Sequence, residues 1–209
     1  MSFDGINDIV KSALDAGVEI VRLQFADIFG VMKNVSITID ELKNALYHGI
    51  EFDGSSVYGA VRDEESDMYL MPDPETFTIF PWRTSSGFDA RLICDVYTRD
   101  GQPFLGDPRH ILKKALDEAK NVGFKMIAGP ECEFFIFLTD ENGRPTTKTH
   151  DNASYYDLAP VDLGESARRE MVLALKQMGI DVETSHHEIA PGQHEIDLKW
   201  DDALCCADK

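Results

Sequence analysis

Residues 129–137, GPECEFFIF, combine the composition of a β-strand with two acidic side chains. Glutamate is uncommon inside strands, which favour aromatic and β-branched residues. Because successive side chains of a strand point to opposite faces, Glu131 and Glu133 share one face and the apolar residues share the other. The stretch therefore predicts a strand that begins after a Gly-Pro break and presents a pair of carboxylates.

Residues 181–200, DVETSHHEIAPGQHEIDLKW, predict a hairpin that turns at Gly192 and carries a second acidic group. Glu195 and Asp197 share a face of its second strand, and Glu188 lies across the turn. Like charges in register destabilise a sheet unless a cation or protons intervene. The two segments together therefore indicate a bound positive charge.

The donor types narrow the kind of cation. Carboxylate oxygens are hard ligands that suit Mg²⁺ or Mn²⁺, and the four cysteines lack the spacing of a zinc site. The alternative is an exposed acidic sheet face that is balanced by lysines and arginines. A histidine beside a strand is more often a hydrogen-bonded core or rim residue than a ligand, and we interpret His186 and His187 in that way.

The N-terminal part of the chain mixes helical and strand patterns. Apolar spacing predicts a helix over residues 6–16, and residues 18–38 predict a β-hairpin. Further strands are predicted around residues 77–80 and 91–97, whereas residues 52–73 are rich in Gly, Ser and Asp and predict a long loop. This region therefore predicts a small sheet with a helix across it.

A second domain is predicted to follow. Asp107 is a helix N-cap with proline at the first helical position, so we expect a first domain at residues 1–105 and a second at residues 106–209. The mixture of helices and antiparallel strands predicts the α+β class. A last helix capped by Asp201 has only about two turns before Lys209, and we expect the chain to stop inside its second domain.

The composition excludes several classes of protein. The 209 residues are 43% hydrophobic and 28% charged, as in a folded globular protein. The net charge is 20 − 38 = −18, which repels phosphate backbones and anionic lipid surfaces, so we expect no nucleic acid and no membrane partner. The sequence has no signal peptide pattern and no long apolar run, which predicts a cytoplasmic location.

Four stretches carry a resemblance to a known family. GPECEFFIF (129–137) and HHEIAPGQHEID (186–197), with FDGSS (52–56) and ESDMYLMPD (65–73) before them, resemble the type I glutamine synthetases of bacteria and archaea. The resemblance spans the chain, with the motifs in the same order. It implies a small β-grasp-like N-terminal domain followed by the first part of a catalytic domain built on an antiparallel sheet.

The resemblance also implies an activity and an assembly. The activity is ATP-dependent ligation of ammonia to L-glutamate, which gives L-glutamine through a γ-glutamyl phosphate intermediate. The expected partners are L-glutamate, ammonium and ATP, and the expected assembly is a homo-oligomer built as a double ring of six, a dodecamer. The expected cofactors are Mg²⁺ or Mn²⁺, two or more per active site, with ATP as a substrate.

The acidic residues match the family position by position. Glu133, Glu188 and Glu195 match the carboxylates of the first metal site. Glu131 matches one ligand of the second metal site, which also contacts the nucleotide phosphates. Glu183 matches a nucleotide-binding glutamate.

Three further positions match residues of other roles. Asp53 matches the catalytic aspartate that reaches a neighbouring subunit's active site and takes a proton from ammonium; without the resemblance it is a turn residue before Gly54. Tyr155 lies near a position that lines the ammonium pocket. Arg62 matches a regulatory position for feedback inhibition by glutamine in a subset of the family, and its alternative is a solvated loop arginine. Position 60 is alanine where relatives often carry an aromatic residue.

The implied chemistry has a physical rationale. A carboxylate is a poor acyl donor, so ATP converts it to an acyl phosphate, and divalent cations neutralise the oxygens between which charge moves. Ammonium must lose a proton to become a nucleophile, which requires a nearby base. Two alternatives remain open: a non-catalytic fragment or subunit-interaction module of the same fold, and a ligase that joins glutamate to another amine.

Overall fold

The computed structural model describes residues 3–55, 57, 67–85 and 87–209. It divides into two compact units, the first extending to Met126 and the second beginning at Ile127, with Asp208 grouped with the first. Among the described residues, no helix has the length and apolar character needed to cross a membrane.

The described residues of the first unit form three helices and six strands. In chain order these are α1 (Phe3–Asp15), β1 (Val18–Ala26), β2 (Met32–Thr38), α2 (Leu42–His48), β3 (Ile50–Asp53), β4 (Asp67–Pro72), β5 (Thr78–Thr84), β6 (Gly87–Thr98) and α3 (Pro108–Asn121). Two short 3-10 turns precede α2 and β5.

The strands form one mixed sheet in the order β2-β1-β6-β4-β3, with β5 also paired to β6. The long strand β6 organises this sheet because its first half pairs with β1 and β5 and its second half pairs with β4. The β1–β6 pair is parallel, with Leu23 opposite Leu92, and the other pairs are antiparallel.

Alternation along the strands places one apolar face of this sheet against α1 and α2. In β1 the buried side chains are Val18, Val21, Leu23 and Phe25, and they join Leu42 of α2 and Leu70 of β4 in the core. Burying a leucine side chain contributes about 1.5–3 kcal/mol, so this layer accounts for much of the unit's stability.

The start of α3 confirms the predicted N-cap. Asp107 accepts a hydrogen bond from the backbone N–H of Arg109 at 2.9 Å, and Pro108 occupies the first turn. The second carboxylate oxygen of Asp107 accepts from the backbone N–H of Val96 in β6 at 3.0 Å. The cap therefore also ties α3 to the sheet.

The prediction of a loop over residues 52–73 is wrong at both ends. Its first two residues end β3, and Asp67–Pro72 forms β4 between β3 and β6. Met68 and Leu70 are buried, whereas Asp67 and Tyr69 are half-buried. This alternation was a strand signal, but the polar composition of the preceding segment hid it.

The second unit is built mainly from short antiparallel strands. Its elements are β7 (Ile127–Ala128), β8 (Glu131–Phe135), β9 (Phe137–Thr139), β10 (Pro145–Thr149), α4 (Glu165–Gln177), β11 (Val182–His187), β12 (Gln193–Leu198), β13 (Asp201–Asp202) and α5 (Ala203–Asp208). The strands β11, β12 and β8 form a three-stranded antiparallel sheet, while β9 pairs with β10 and β7 with β13. The cap of α5 is Asp202, and not Asp201 as predicted.

Candidate metal centre

The three-stranded sheet collects acidic side chains on one face. Residues directly opposite each other in antiparallel strands share a face, and two rows cross the sheet in this way. One row consists of Glu133, Glu195 and His186, and the next row consists of Glu131, Asp197 and Thr184. The alternation predicted from the sequence is therefore confirmed, and the three strands bring the two acidic segments into register.

A compact cluster lies at the turn end of this face. The Nε2 atom of His186 is 2.9 Å from Oε1 of Glu188 and 3.2 Å from Oε2 of Glu195. The potential ligand atoms of these three residues lie within 4.8 Å of one another. We name the set His186, Glu188 and Glu195 the acidic cluster.

The hairpin backbone fixes Glu188 in the acidic cluster. Its N–H donates to the carbonyl of Gln193 at 2.8 Å, across the turn between β11 and β12. Its Oε2 accepts from the backbone N–H of Ile189 at 3.0 Å, and this bond, with help from His186, lowers the pKa of the carboxyl. Glu188 is therefore held ionised at neutral pH.

The pKa of Glu195 is shifted in the opposite direction to that of Glu188. Its side chain is 9% exposed, and burial together with the carboxylates of Glu188 and Asp197 raises its pKa to about 7. Carboxylates gathered with only one imidazole between them leave negative charge uncompensated. Carboxylate oxygens are ligands that suit Mg²⁺ or Mn²⁺, so the carboxylates of Glu188 and Glu195 fit a divalent cation.

The raised pKa of Glu195 predicts a pH dependence of stability in a chelator. From about pH 4.5 to about pH 7 the folded chain keeps a proton on Glu195 that the unfolded chain has released. The free energy of unfolding should therefore fall as pH rises through this window. Urea unfolding between pH 4 and pH 8 should show a smaller fall for Glu195→Gln, and identical slopes would contradict the assignment.

The other predicted metal residues lie on the same face outside the acidic cluster. Glu133 is directly opposite Glu195, and its Oε2 accepts from Nε2 of Gln193 at 2.6 Å. Glu131 is exposed at the start of β8 opposite Asp197. Glu183, the predicted nucleotide-binding residue, is exposed in β11, where the register with β12 shifts.

Asp197 was not among the candidate site residues. It accepts a hydrogen bond from the hydroxyl of Thr184, its second oxygen is buried without a hydrogen-bond partner, and its charge contributes to the raised pKa of Glu195. The period-two pattern already placed it beside Glu195, so the sequence contained the signal.

Tyr155 lies beside the acidic cluster. Its ring stands edge-on to His186 at a centroid distance of 5.4 Å, and its hydroxyl donates to that of Tyr156 at 3.1 Å. The hydrogen bond with Tyr156, followed by the charges of Glu188 and Glu195, raises the pKa of Tyr155 to about 12. Its phenol therefore stays protonated and can donate.

Asp53 and Arg62 belong to the first part of the chain. Asp53 ends β3, is exposed, and accepts from the backbone N–H of Ser55 at 2.9 Å. That hydrogen bond is typical of an Asx turn, which is the alternative that the sequence left open. Arg62 and position 60 lie outside the described residues.

The two adjacent histidines lie on opposite faces of the sheet. His186 is half-buried and hydrogen-bonded to Glu188, which agrees with its interpretation as a hydrogen-bonded rim residue, and it also joins the acidic cluster. His187 points to the other face, where it is fully buried and bonded to Asp151, as that interpretation predicted. Adjacent residues of a strand alternate, and only the cross-strand register identifies which histidine faces the carboxylates.

A second group of titratable residues lies on that other face. Asp151, Asp162, His187 and His194 also bring potential ligand atoms within 4.8 Å of one another. Here a guanidinium already supplies positive charge, because Arg168 donates to Nδ1 of His194 at 2.8 Å and to Oδ2 of Asp162 at 2.7 Å. Burial and the nearby Arg168 lower the pKa of His194 to about 4, so it stays neutral.

Comparison with known proteins places the chain in a family. Residues 17–99 match the glutamine synthetase β-grasp domain, and residues 105–209 match the glutamine synthetase catalytic domain. The fold is α+β, as predicted. The chain belongs to the glutamine synthetase family.

Individual relatives agree with this family. The glutamine synthetase of Clostridium saccharobutylicum is 60% identical over 201 residues, which cover 96% of this chain and 45% of the relative. That of Staphylococcus aureus strain MW2 is 54% identical over 203 residues, covering 97% and 46%. The chain therefore spans about half the length of these curated relatives.

Two solved structures share the fold. An apo structure of GmaS superposes with a TM-score of 0.84 at 26% identity, covering 97% of this chain and 47% of that one. A cryo-EM structure of Plasmodium falciparum glutamine synthetase gives a TM-score of 0.82 at 27% identity, covering 100% and 46%. Both span about twice the length that this chain covers.

Proposed function

We propose that the chain is the N-terminal half of an enzyme that joins ammonia to L-glutamate at the expense of ATP. The glutamate side-chain carboxylate attacks the γ-phosphorus of ATP and ADP leaves, giving γ-glutamyl phosphate. Ammonia then attacks the acyl carbon and phosphate leaves, giving L-glutamine. The observation that carries the proposal is the acidic cluster of His186, Glu188 and Glu195 on a sheet of this family.

The proposed metal ligands follow from the acidic face. Glu133, Glu188 and Glu195 would hold one Mg²⁺ or Mn²⁺, and Glu131 would contribute a ligand to a second cation at the ATP phosphates. When bound, such cations neutralise the phosphate oxygens during phosphoryl transfer. Glu183 contacts the nucleotide, and its exposure at the shifted register of β11 supports this assignment.

The proposed proton acceptor is Asp53. An ammonium ion held by negative charge becomes nucleophilic only after it loses a proton to a nearby base. Tyr155 lies beside the acidic cluster, and its phenol oxygen is suited to accept a hydrogen bond from that ammonium. Asp53 belongs to the first unit and the metal carboxylates belong to the second.

We propose that Asp53 completes the active site of a neighbouring subunit. This arrangement requires a homo-oligomer, and head-to-tail contacts that close into a ring supply it at every interface. The assembly we propose is a double ring of six. Each chain would have a β-grasp-like domain at residues 1–105 and the beginning of the catalytic domain at residues 106–209. The proposed location is the cytoplasm.

Two other functions remain candidates. A subunit-interaction module of the same fold would bind the partner chain without turnover, and a related ligase would use another amine in place of ammonia. Measuring glutamine formation distinguishes these functions from the proposed ammonia ligase. We expect ATP-dependent glutamine from a full-length enzyme, made by joining these 209 residues to the second half of the Clostridium saccharobutylicum relative, and none from the 209 residues alone. Preference for methylamine over ammonia would contradict the ammonia proposal.

A regulatory role for Arg62 is a further proposal. The guanidinium matches a position for feedback inhibition by glutamine, and a charged donor at such a site would bind the inhibitor's carboxylate. We expect Arg62→Ala to raise the glutamine concentration that halves activity by roughly 10- to 150-fold, since a hydrogen bond to a charged group contributes roughly 1.5–3 kcal/mol. An inhibition curve that superposes on that of the wild type would contradict the role.

A further inference from the structure

Asp151 is a buried carboxylate to which neither the predicted site nor the proposed chemistry gives a role. Its side chain is 1% exposed. Backbone N–H groups of Gly192 and Leu163 donate to it at 3.0 Å each, and Nε2 of His187 lies 3.2 Å from its Oδ1. A buried carboxylate with this many donors holds several segments in fixed positions, because each lost bond would leave a buried polar group unsatisfied.

Two of these donors flank the metal carboxylates. His187 directly precedes Glu188, and Gly192 lies in the turn that leads to Glu195. The other ring nitrogen of His187, Nδ1, lies 2.6 Å from the backbone carbonyl oxygen of Glu188. The imidazole therefore links Asp151 to the backbone of Glu188.

Two further segments of the chain contact the hairpin turn at Gly192. Its φ is +68°, in the left-handed region, and a Cβ there would lie 2.9 Å from Cβ of Thr149. The carbonyl of Gly192 accepts from the backbone N–H of Ile136 at 2.9 Å. The hairpin turn therefore packs against Thr149, close to Asp151 in sequence, and against Ile136. These contacts restrict movements of the turn that would change the separation of Glu188 and Glu195.

Asp151 acts from the face opposite the acidic cluster. His187 and His194 pair across β11 and β12 on that face, whereas His186 and Glu195 pair on the other. Asp151 therefore influences the ligands only through the hairpin backbone and His187.

We propose that Asp151 is a positioning residue that holds Glu188 and Glu195 at the spacing a divalent cation requires. This role rests on the proposed metal site. Residues that orient metal ligands typically change metal affinity about 10- to 100-fold when they are replaced. We therefore expect Asp151→Asn to weaken Mn²⁺ binding to the 209-residue chain by that factor.

The matched control is Asp27→Asn in the first unit. Asp27 is equally buried, and its carboxylate accepts from the backbone N–H groups of Phe29 and Val31 at the turn of the β1–β2 hairpin. Its replacement removes a buried charge from a hairpin turn without touching the metal hairpin. Scanning calorimetry should show lower thermal stability in both variants, whereas calorimetric titration should show weakened Mn²⁺ binding only in Asp151→Asn.

The electron paramagnetic resonance spectrum of bound Mn²⁺ at saturation provides a second readout. Displaced ligands change the symmetry of the Mn²⁺ coordination and broaden its spectrum, whereas lower stability alone leaves the spectrum of folded protein unchanged. If Asp151→Asn does not fold, His187→Gln removes the link to Glu188 and should weaken binding in the same way.

The outcomes separate the two claims. Wild-type chain that binds no Mn²⁺ would contradict the proposed metal site and this role with it. Wild-type chain that binds Mn²⁺, together with a folded Asp151→Asn or His187→Gln variant of unchanged affinity and spectrum, would overturn the positioning role alone.

Discussion

Replacing Glu195 by glutamine in the full-length enzyme is expected to reduce glutamine formation by roughly 100- to 1,000-fold, since a divalent cation supplies several kcal/mol of charge stabilisation in the transition state. The substitution keeps the size of the side chain and removes its charge at the buried centre of the acidic cluster. Mn²⁺ affinity, measured by calorimetry, should fall in parallel.

The matched control is Glu141→Gln, an exposed glutamate in the turn between β9 and β10 of the same unit. Glu141→Gln removes the same charge outside the strands that form the acidic face. A surface substitution of this kind changes the free energy of unfolding by less than about 0.5 kcal/mol. Wild-type affinity for Mn²⁺ in Glu195→Gln would rule Glu195 out as a ligand.

Mixed oligomers should recover activity from two inactive variants. Asp53→Ala removes the proposed base in the first unit, and Glu188→Ala removes a proposed metal ligand in the second. If each site combines Asp53 of one subunit with the metal carboxylates of the next, roughly one interface in four of a randomly mixed ring is intact. Glutamine formation should therefore return to roughly a quarter of the wild-type rate.

A second mixture supplies the control for this experiment. Glu188→Ala and Glu195→Ala remove two groups of the same acidic cluster, so no arrangement of their subunits restores a complete site. With one variant of each pair uniformly labelled with ¹⁵N, mass measurement should confirm that both mixtures form mixed rings. Equal activity of the two mixtures, or none in the first, would mean that the site is not shared between subunits.

The acidic face was predictable because the period of a strand is local. The alternation of Glu131 with Glu133, and of Glu195 with Asp197, follows from neighbouring residues alone. The same period identified neither which histidine joins the carboxylates nor that Asp67–Pro72 is a strand, because the first depends on cross-strand register and the second was hidden by its polar neighbours.

Asp151 could not be found in this way. It lies 36 positions before His187 and 41 before Gly192, in an irregular segment without periodicity. Its role depends on contacts between segments distant in sequence, and local patterns do not encode such contacts. Buried polar residues that connect segments are therefore the part of this site that required a structure.

Anomalous diffraction from crystals of the 209-residue chain grown with Mn²⁺ tests the central claim most directly. The account predicts a peak between the carboxylates of Glu188 and Glu195, with Glu133 as a further ligand; with Mg²⁺ in place of Mn²⁺ the metal–oxygen distances should be about 2.1 Å. A peak at Asp151 and Asp162 on the opposite face, with none at Glu188 and Glu195, would contradict it.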